Sequence, residues 1–90
     1  MRIGIDARFF GSIGKGLGRY TQKLIENLEK IDSENHYFVF LRRENWDEYQ
    51  SQSKYFTKVL ADVPWYTLRE QIRMPKIFAS CGLDLIHFPH

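Results

Sequence analysis

The chain has one cysteine, three prolines, little net charge and no long apolar run, and each shortage removes a class of protein. A lone cysteine, Cys81, cannot form an internal disulfide, so these 90 residues are not a disulfide-stapled secreted scaffold. Its place in an apolar helical stretch predicts a buried thiol in a reducing compartment. The formal charge is +2, and Lys and Arg are scattered rather than blocked, so no nucleic-acid partner is expected. No apolar run approaches the roughly 18 to 20 residues of a membrane span. Asp6 and Arg8 interrupt the only apolar stretch near the N-terminus, so no signal peptide is expected and the location expected is cytoplasmic. His87 and His90 are three apart, which on a strand points them to opposite faces, and His36 lies elsewhere. Neither a metal site nor a cofactor is expected.

What is present is an ordinary globular composition, 43% hydrophobic, which argues against disorder and for one small domain or part of a larger one. The stretch from Arg2 to Tyr20 organises the rest. Ile3 and Ile5 make a short buried strand, Gly4 admits a neighbouring backbone, and the strand should end near Asp6. Gly11, Gly14, Gly16 and Gly18 follow, each able to take positive φ or to approach a ligand closely. From about Leu17 the residues Tyr20, Leu24, Leu28 and Ile31 recur with helical spacing. The glycines therefore sit at a helix N-terminus, where free N–H groups and the helix dipole hold anions. Lys15 and Arg19 add two cations at the same end, which suits a bound phosphate or carboxylate. The alternative is a solvated glycine connector.

After a polar break at Asp32–Asn35, Tyr37 to Leu41 reads as a second strand covered on both faces. Residues 42–53 read as a loop or short helix carrying Trp46 and Tyr49 inward. Tyr55 to Leu60 is a third strand nearer an edge, marked by Lys58. Pro64 suits a helix start. Trp65, Leu68 and Ile72 form one apolar stripe, and Met74, Ile77, Phe78 and Cys81 a second of different phase. Pro75 between them predicts a kink or two short helices. Gly82 is a left-handed stop, and Leu85 to Phe88 is a fourth strand. Arg69, Glu70 and Arg73 read as a solvated helix face, with Trp65 and Tyr66 offering an acceptor or membrane-surface patch as the alternative.

The order β-α-β-β-α-β predicts an α/β fold, a partial Rossmann-like parallel sheet with helices on both faces and strand one central. With strand four on the other side of strand one, the glycine loop and the HFPH end would face one crevice at the reversal of strand order. The glycines do not match the dinucleotide fingerprint, and Arg42 and Arg43 stand where an acidic ribose ligand would be, leaving only a small opening for a 2′-phosphate. The phosphate-binding P-loop fails too, because glycine follows Lys15 where serine or threonine would hold magnesium.

The segments MRIGIDAR, GKGLGRYTQKLIENL, EQIRMPKIFAS and DLIHFPH together resemble the N-terminal domain of retaining glycosyltransferases of family 4. The most specific elements are Gly16-Leu17-Gly18-Arg19-Tyr20 after the IGIDAR strand and DLIHFPH at the matching distance. The resemblance implies a GT-B enzyme, two Rossmann-like domains facing a cleft, that moves a sugar from a nucleotide-diphosphate sugar to an acceptor with retention. It places Gly16, Leu17 and Gly18 against the donor diphosphate, beside Lys15 and Arg19. Contacts to a sugar or lipid-linked acceptor would come from strand ends, Asp6 to Arg8 and His87 to His90. A C-terminal domain holding nucleotide and donor sugar would be needed, so the chain is expected to be a fragment that does not catalyse transfer alone. The other reading is a non-catalytic α/β binding module that pairs an exposed sheet edge with itself or a partner.

Overall fold

The computed structural model describes residues 1–11, 15–63 and 68–89. Gly14, Pro64, Trp65, Tyr66 and His90 lie outside them, and with them the predicted helix start at Pro64 and the Trp65–Tyr66 patch. The elements are β1 (Arg2–Asp6), α1 (Lys15–Ile31), β2 (His36–Leu41), a 3-10 helix (Arg43–Glu48), β3 (Phe56–Leu60), α2 (Leu68–Ser80) and β4 (Leu85–His87). The four strands pair in parallel in the order β3-β2-β1-β4. This is the α/β, partial Rossmann-like arrangement expected, with β4 on the far side of β1 from the other two strands.

Strand alternation separates two cores. Ile5 and Val39 are register partners and bury with Tyr37, Leu41 and Ile25 of α1 on one face. Phe38 and Phe40 point the other way and bury with Met74 of α2, Ala61 and Val63. Every residue of β2 from Tyr37 to Leu41 is buried, as a strand covered on both sides requires. The 3-10 helix takes the place of a crossover helix between β2 and β3. Tyr49 is buried just after it, and Trp46 packs against the same α1-side core. The Lys58 Nζ of β3 lies over the Trp46 ring, 4.3 Å from its centroid, a cation–π contact at the half-buried edge of the sheet.

Two stripes differ from expectation. In α1 the fully buried positions are Gly18, Thr21 and Ile25, while Tyr20 and Ile31 are exposed. The helix begins at Lys15, earlier than the apolar spacing indicates, and Gly18 belongs to its inner side because the loop after β1 presses against it, while the Thr21 hydroxyl is satisfied by Leu17 O within the helix. In α2 the second stripe faces the core through Met74, Ile77 and Phe78, with Cys81 half-buried beside it, whereas Leu68 and Ile72 are exposed. A single helix runs through Pro75. The carbonyl that Pro75 leaves unbonded belongs to Gln71, on an exposed turn where water can take it. Gly82 is left-handed at φ 62°, the stop expected after this helix. Among the described residues no helix is long and apolar enough to cross a membrane.

Gly18 is needed for contact rather than for φ. A Cβ there would overlap the carbonyl oxygens of Phe9 and Gly11, backbone atoms that cannot yield without moving the loop. Gly16, one turn-position away, faces open space. Gly18→Ala should therefore destabilise the chain by about 2–3 kcal/mol, whereas Gly16→Ala should be neutral or stabilising by up to ~1 kcal/mol. Urea midpoints of the two variants check this, and an equal effect would refute the contact.

Candidate functional site

The loop after β1 is the start of every candidate site. Ala7 donates its N–H to Phe40 O at 2.9 Å and Phe10 donates to Ala7 O at 2.9 Å, turning the chain sharply. Asn45, fully buried, holds this turn from the other side. Its Nδ2 donates to Ala7 O, Arg8 O and Phe10 O at 3.2, 3.2 and 3.0 Å, and its Oδ1 accepts from Arg42 N at 2.9 Å. Sequence reasoning passed over Asn45. Its only signal was an asparagine in an otherwise charged and aromatic segment, with no indication of the loop it would reach.

The turn feeds α1, and a groove of about 460 Å³ opens there, lined by Gly11, Lys15, Gly16, Arg19, Gln22 and Glu48. Lys15 and Gly16 are exposed, no acidic residue stands in the helix's first turn, and the helix end and both cations share one opening. Leu17 is half-buried beside it and Gly18 is buried under the loop, so the groove is reached through Lys15, Gly16 and Arg19. Positive φ falls on Gly11, at 79°, and on Lys15, at 52°. Gly16 and Gly18 do not use it. A lysine in the left-handed region is disfavoured by about 1–2 kcal/mol, and this strain sits on one of the two groove cations. The groove also holds a carboxylate that sequence reasoning did not place there. Glu48, at the end of the 3-10 helix, lies so close to Gly11 that a Cβ there would sit 2.5 Å from its Oε1.

Asp6 and Arg8 are on the other face. Asp6 is the register partner of Phe40 and is fully buried, and Arg8 is 2% exposed. Arg8 Nε and Nη2 donate to the two Asp6 oxygens at 2.8 and 2.7 Å, Nη1 donates to Val63 O at 3.1 Å, and Nη2 also meets Glu70 Oε2. Burial opposes the guanidinium charge, but Asp6 and Glu70 more than offset it and raise the pKa of Arg8 above its ordinary value. Glu70 is thus a partner of a buried arginine rather than part of a solvated helix face. Arg8 and Glu70 line a separate cavity with Phe88, the residue following β4.

His87 pairs in register with Ile5 and is exposed on the α1 face, where it lines a shallow groove with Ile3, Leu24, Leu28 and Tyr37. The described residues of the β4 end are therefore divided between the two faces. The glycine-loop groove and the Arg8 cavity are distinct openings, not one crevice. Arg42 pairs with Glu44 at 3.2 Å and Asp62 at 3.6 Å, and Arg43 with Asp62 at 3.6 Å, so acids already engage the cations considered for a 2′-phosphate.

Comparison with known proteins found no matching family model, no similar curated protein and no similar solved structure.

Two measurements follow from the loop and its anchor. Asn45→Asp points a carboxylate oxygen at three carbonyls and should destabilise by about 3 kcal/mol, more than Asn45→Ala, as read by urea denaturation. Tyr49 OH donates to Glu29 Oε1 at 2.6 Å, tying the segment that carries Glu48 to α1. Burial first, and this bond second, raise the Tyr49 pKa; burial and Asp32 push Tyr37 up to about 12. The unfolded chain loses these protons near pH 10 while the folded chain keeps them, so stability should be level below roughly pH 10 and fall above it. Tyr49→Phe should flatten that fall in melts taken between pH 9 and 11.

Proposed function

We propose that this chain is the acceptor-side Rossmann-like unit of a retaining glycosyltransferase, in which the α1 groove receives the diphosphate of a nucleotide-sugar donor. One observation carries the reading: a helix N-terminus and the cations Lys15 and Arg19 open into one groove, with Lys15 held in a disfavoured backbone conformation. The parallel order β3-β2-β1-β4 supports it, since ligands of such sheets bind beyond the carboxyl ends of the strands where the order reverses. The chemistry asked of these residues is charge neutralisation. N–H groups and two cations stabilise the diphosphate as the bond to the sugar breaks and negative charge gathers on the leaving oxygen. The base, ribose and donor sugar would be held by a second domain closing over the groove, so this unit alone is not expected to transfer sugar. On this reading the acceptor would lie along the strand ends carrying Asp6, Arg8, His87 and His90. Asp6 is fully buried and Arg8 nearly so, and their part would be to hold the shape of that end.

Glu48 lines the same groove as Lys15 and Arg19, and its negative charge opposes an entering diphosphate. Removing it therefore separates an anion site from a mere connector.

Pyrophosphate titration of the full chain, followed by amide NMR, tests this. Shifts should centre on Lys15, Gly16 and Arg19 at millimolar concentration, about 4 kcal/mol of binding free energy. Glu48→Gln should tighten binding about threefold, and Arg19→Ala should weaken it. Lys15→Gly should lose affinity while gaining up to ~1 kcal/mol of stability from relief of the left-handed strain. A folded chain whose loop resonances ignore pyrophosphate would remove the donor-site reading. A binding or oligomerisation module would then be preferred, since Leu85 and Phe88 at the β4 edge are 45% and 49% exposed. Its sign is a sedimentation coefficient that rises with concentration.

A further inference from the structure

The two sides of α2 are built for different surroundings. Met74, Ile77 and Phe78 turn to the core that rests on Phe38 and Phe40 of β2. On the outer side, at 100° per residue, Leu68, Ile72, Pro75 and Ala79 form an apolar stripe about 60° wide, and Arg69, Arg73 and Lys76 form a basic stripe of about the same width beside it. All of these residues are exposed, Leu68 by 77% and Ile72 by 62%. The line opposite Met74 runs between the stripes and lies within about 80° of every one of these positions. One flat surface laid along the helix would therefore touch both. Two branched aliphatic side chains held this far into solvent make a ridge rather than a pocket wall.

Charge is sorted in the same way. The one acid of the helix, Glu70, is on the core side of Arg73, about 60° from it, and meets the Arg8 guanidinium. Among the described residues Arg69, Arg73 and Lys76 have no hydrogen-bond or ion-pair partner. The outer side thus carries three cations and no acid. An apolar stripe beside unpaired cations suits the boundary of an anionic bilayer, where aliphatic groups enter among the acyl chains and long cationic stems reach the phosphates. A folded protein partner would need a trough shaped to Leu68 and Ile72 with acids set beside it, whereas a bilayer yields to a ridge of any shape. With 13 residues the helix can lie in that boundary without crossing it.

We propose that α2 seats this chain on the surface of anionic membranes, with Leu68 and Ile72 entering the acyl boundary and Arg69, Arg73 and Lys76 at the headgroups. The inference rests on α2 alone and takes nothing from the diphosphate reading, whose own test is the pyrophosphate titration, so either can fail without the other.

Sedimentation of the full chain with sucrose-loaded vesicles tests it. Vesicles of phosphatidylcholine with about one third phosphatidylserine should carry the chain into the pellet, and phosphatidylcholine alone should leave it in solution. Arg69→Gln and Lys76→Gln should each weaken binding about fivefold, and Leu68→Ser about tenfold. Lys23→Gln removes the same charge from an exposed position of α1 and should bind as the parent chain does. The substituted positions are all exposed, so the variants should keep the parent's far-UV spectrum. The proposal is overturned by a folded chain that stays in solution with the anionic vesicles, by equal retention on phosphatidylcholine alone, by undiminished binding of Leu68→Ser, or by a loss in Lys23→Gln equal to that in Lys76→Gln. Complete displacement by polyglutamate at matched carboxylate concentration would also overturn it, and would assign the face to an acidic protein.

Discussion

The carboxamide of Asn45 closes the loop after β1, and the positions of α1, the groove and the buried arginine all follow from that closure. Three carbonyls of the loop, those of Ala7, Arg8 and Phe10, converge on one Nδ2 group, and the loop so curled presents the Phe9 and Gly11 carbonyls to α1. Only a glycine at position 18 can meet them. The helix is thereby brought against the loop at its first turn, and Lys15 and Arg19 are carried to the rim beside Glu48. A polar side chain buried without a full set of partners would be a liability; here Oδ1 also accepts from Arg42 N, so the network is satisfied on both sides.

The same loop sends Arg8 through to the opposite face. Breaking a buried pair by removing one partner commonly costs about 3–5 kcal/mol, because it strands the other charge. Asp6, Arg8 and Glu70 therefore bind β1 to α2 with a specificity that apolar packing lacks. Together with Val63 O they hold the segment that follows β3 at the β1 end. The outcome is a sheet with a cation-rimmed groove on one face and a cavity beside the buried arginine on the other. Both are set by a turn of about five residues.

Much of the architecture was legible because it follows from local pattern. The β-branched run at Ile3 and Ile5, the continuous apolar run at Tyr37–Leu41 and the left-handed Gly82 each have one physical reading. The sheet order then follows from the sense of the crossovers. The site was legible only in part. Lys15, Gly16 and Arg19 do share a groove, but the apolar spacing of α1 pointed to Tyr20 and Ile31, which are exposed, and concealed Gly18 and Thr21, which are buried. Hydrophobicity cannot reveal a buried glycine whose task is to admit a backbone. Glu70 looked like surface charge, since nothing near it in sequence indicates an arginine sixty-two residues earlier.

By itself the sequence determined the class of fold, the number and direction of the strands, the absence of a disulfide framework, and the meeting of glycines and cations at a helix start. These depend on periodicity, propensity and counts, which are properties of neighbours along the chain. Tertiary structure alone decided that Asn45 would pin the loop, that Glu48 would enter the groove, and that Asp6 and Arg8 would be buried while His87 stayed exposed on the other face. Each of those outcomes is a meeting of residues far apart in sequence, and its energy exists only once the sheet has aligned β1 with both β2 and β4. Polar side chains report their solvation, not their address, so the same asparagine, glutamate or arginine is a surface residue or a keystone according to what the fold brings within 3 Å of it.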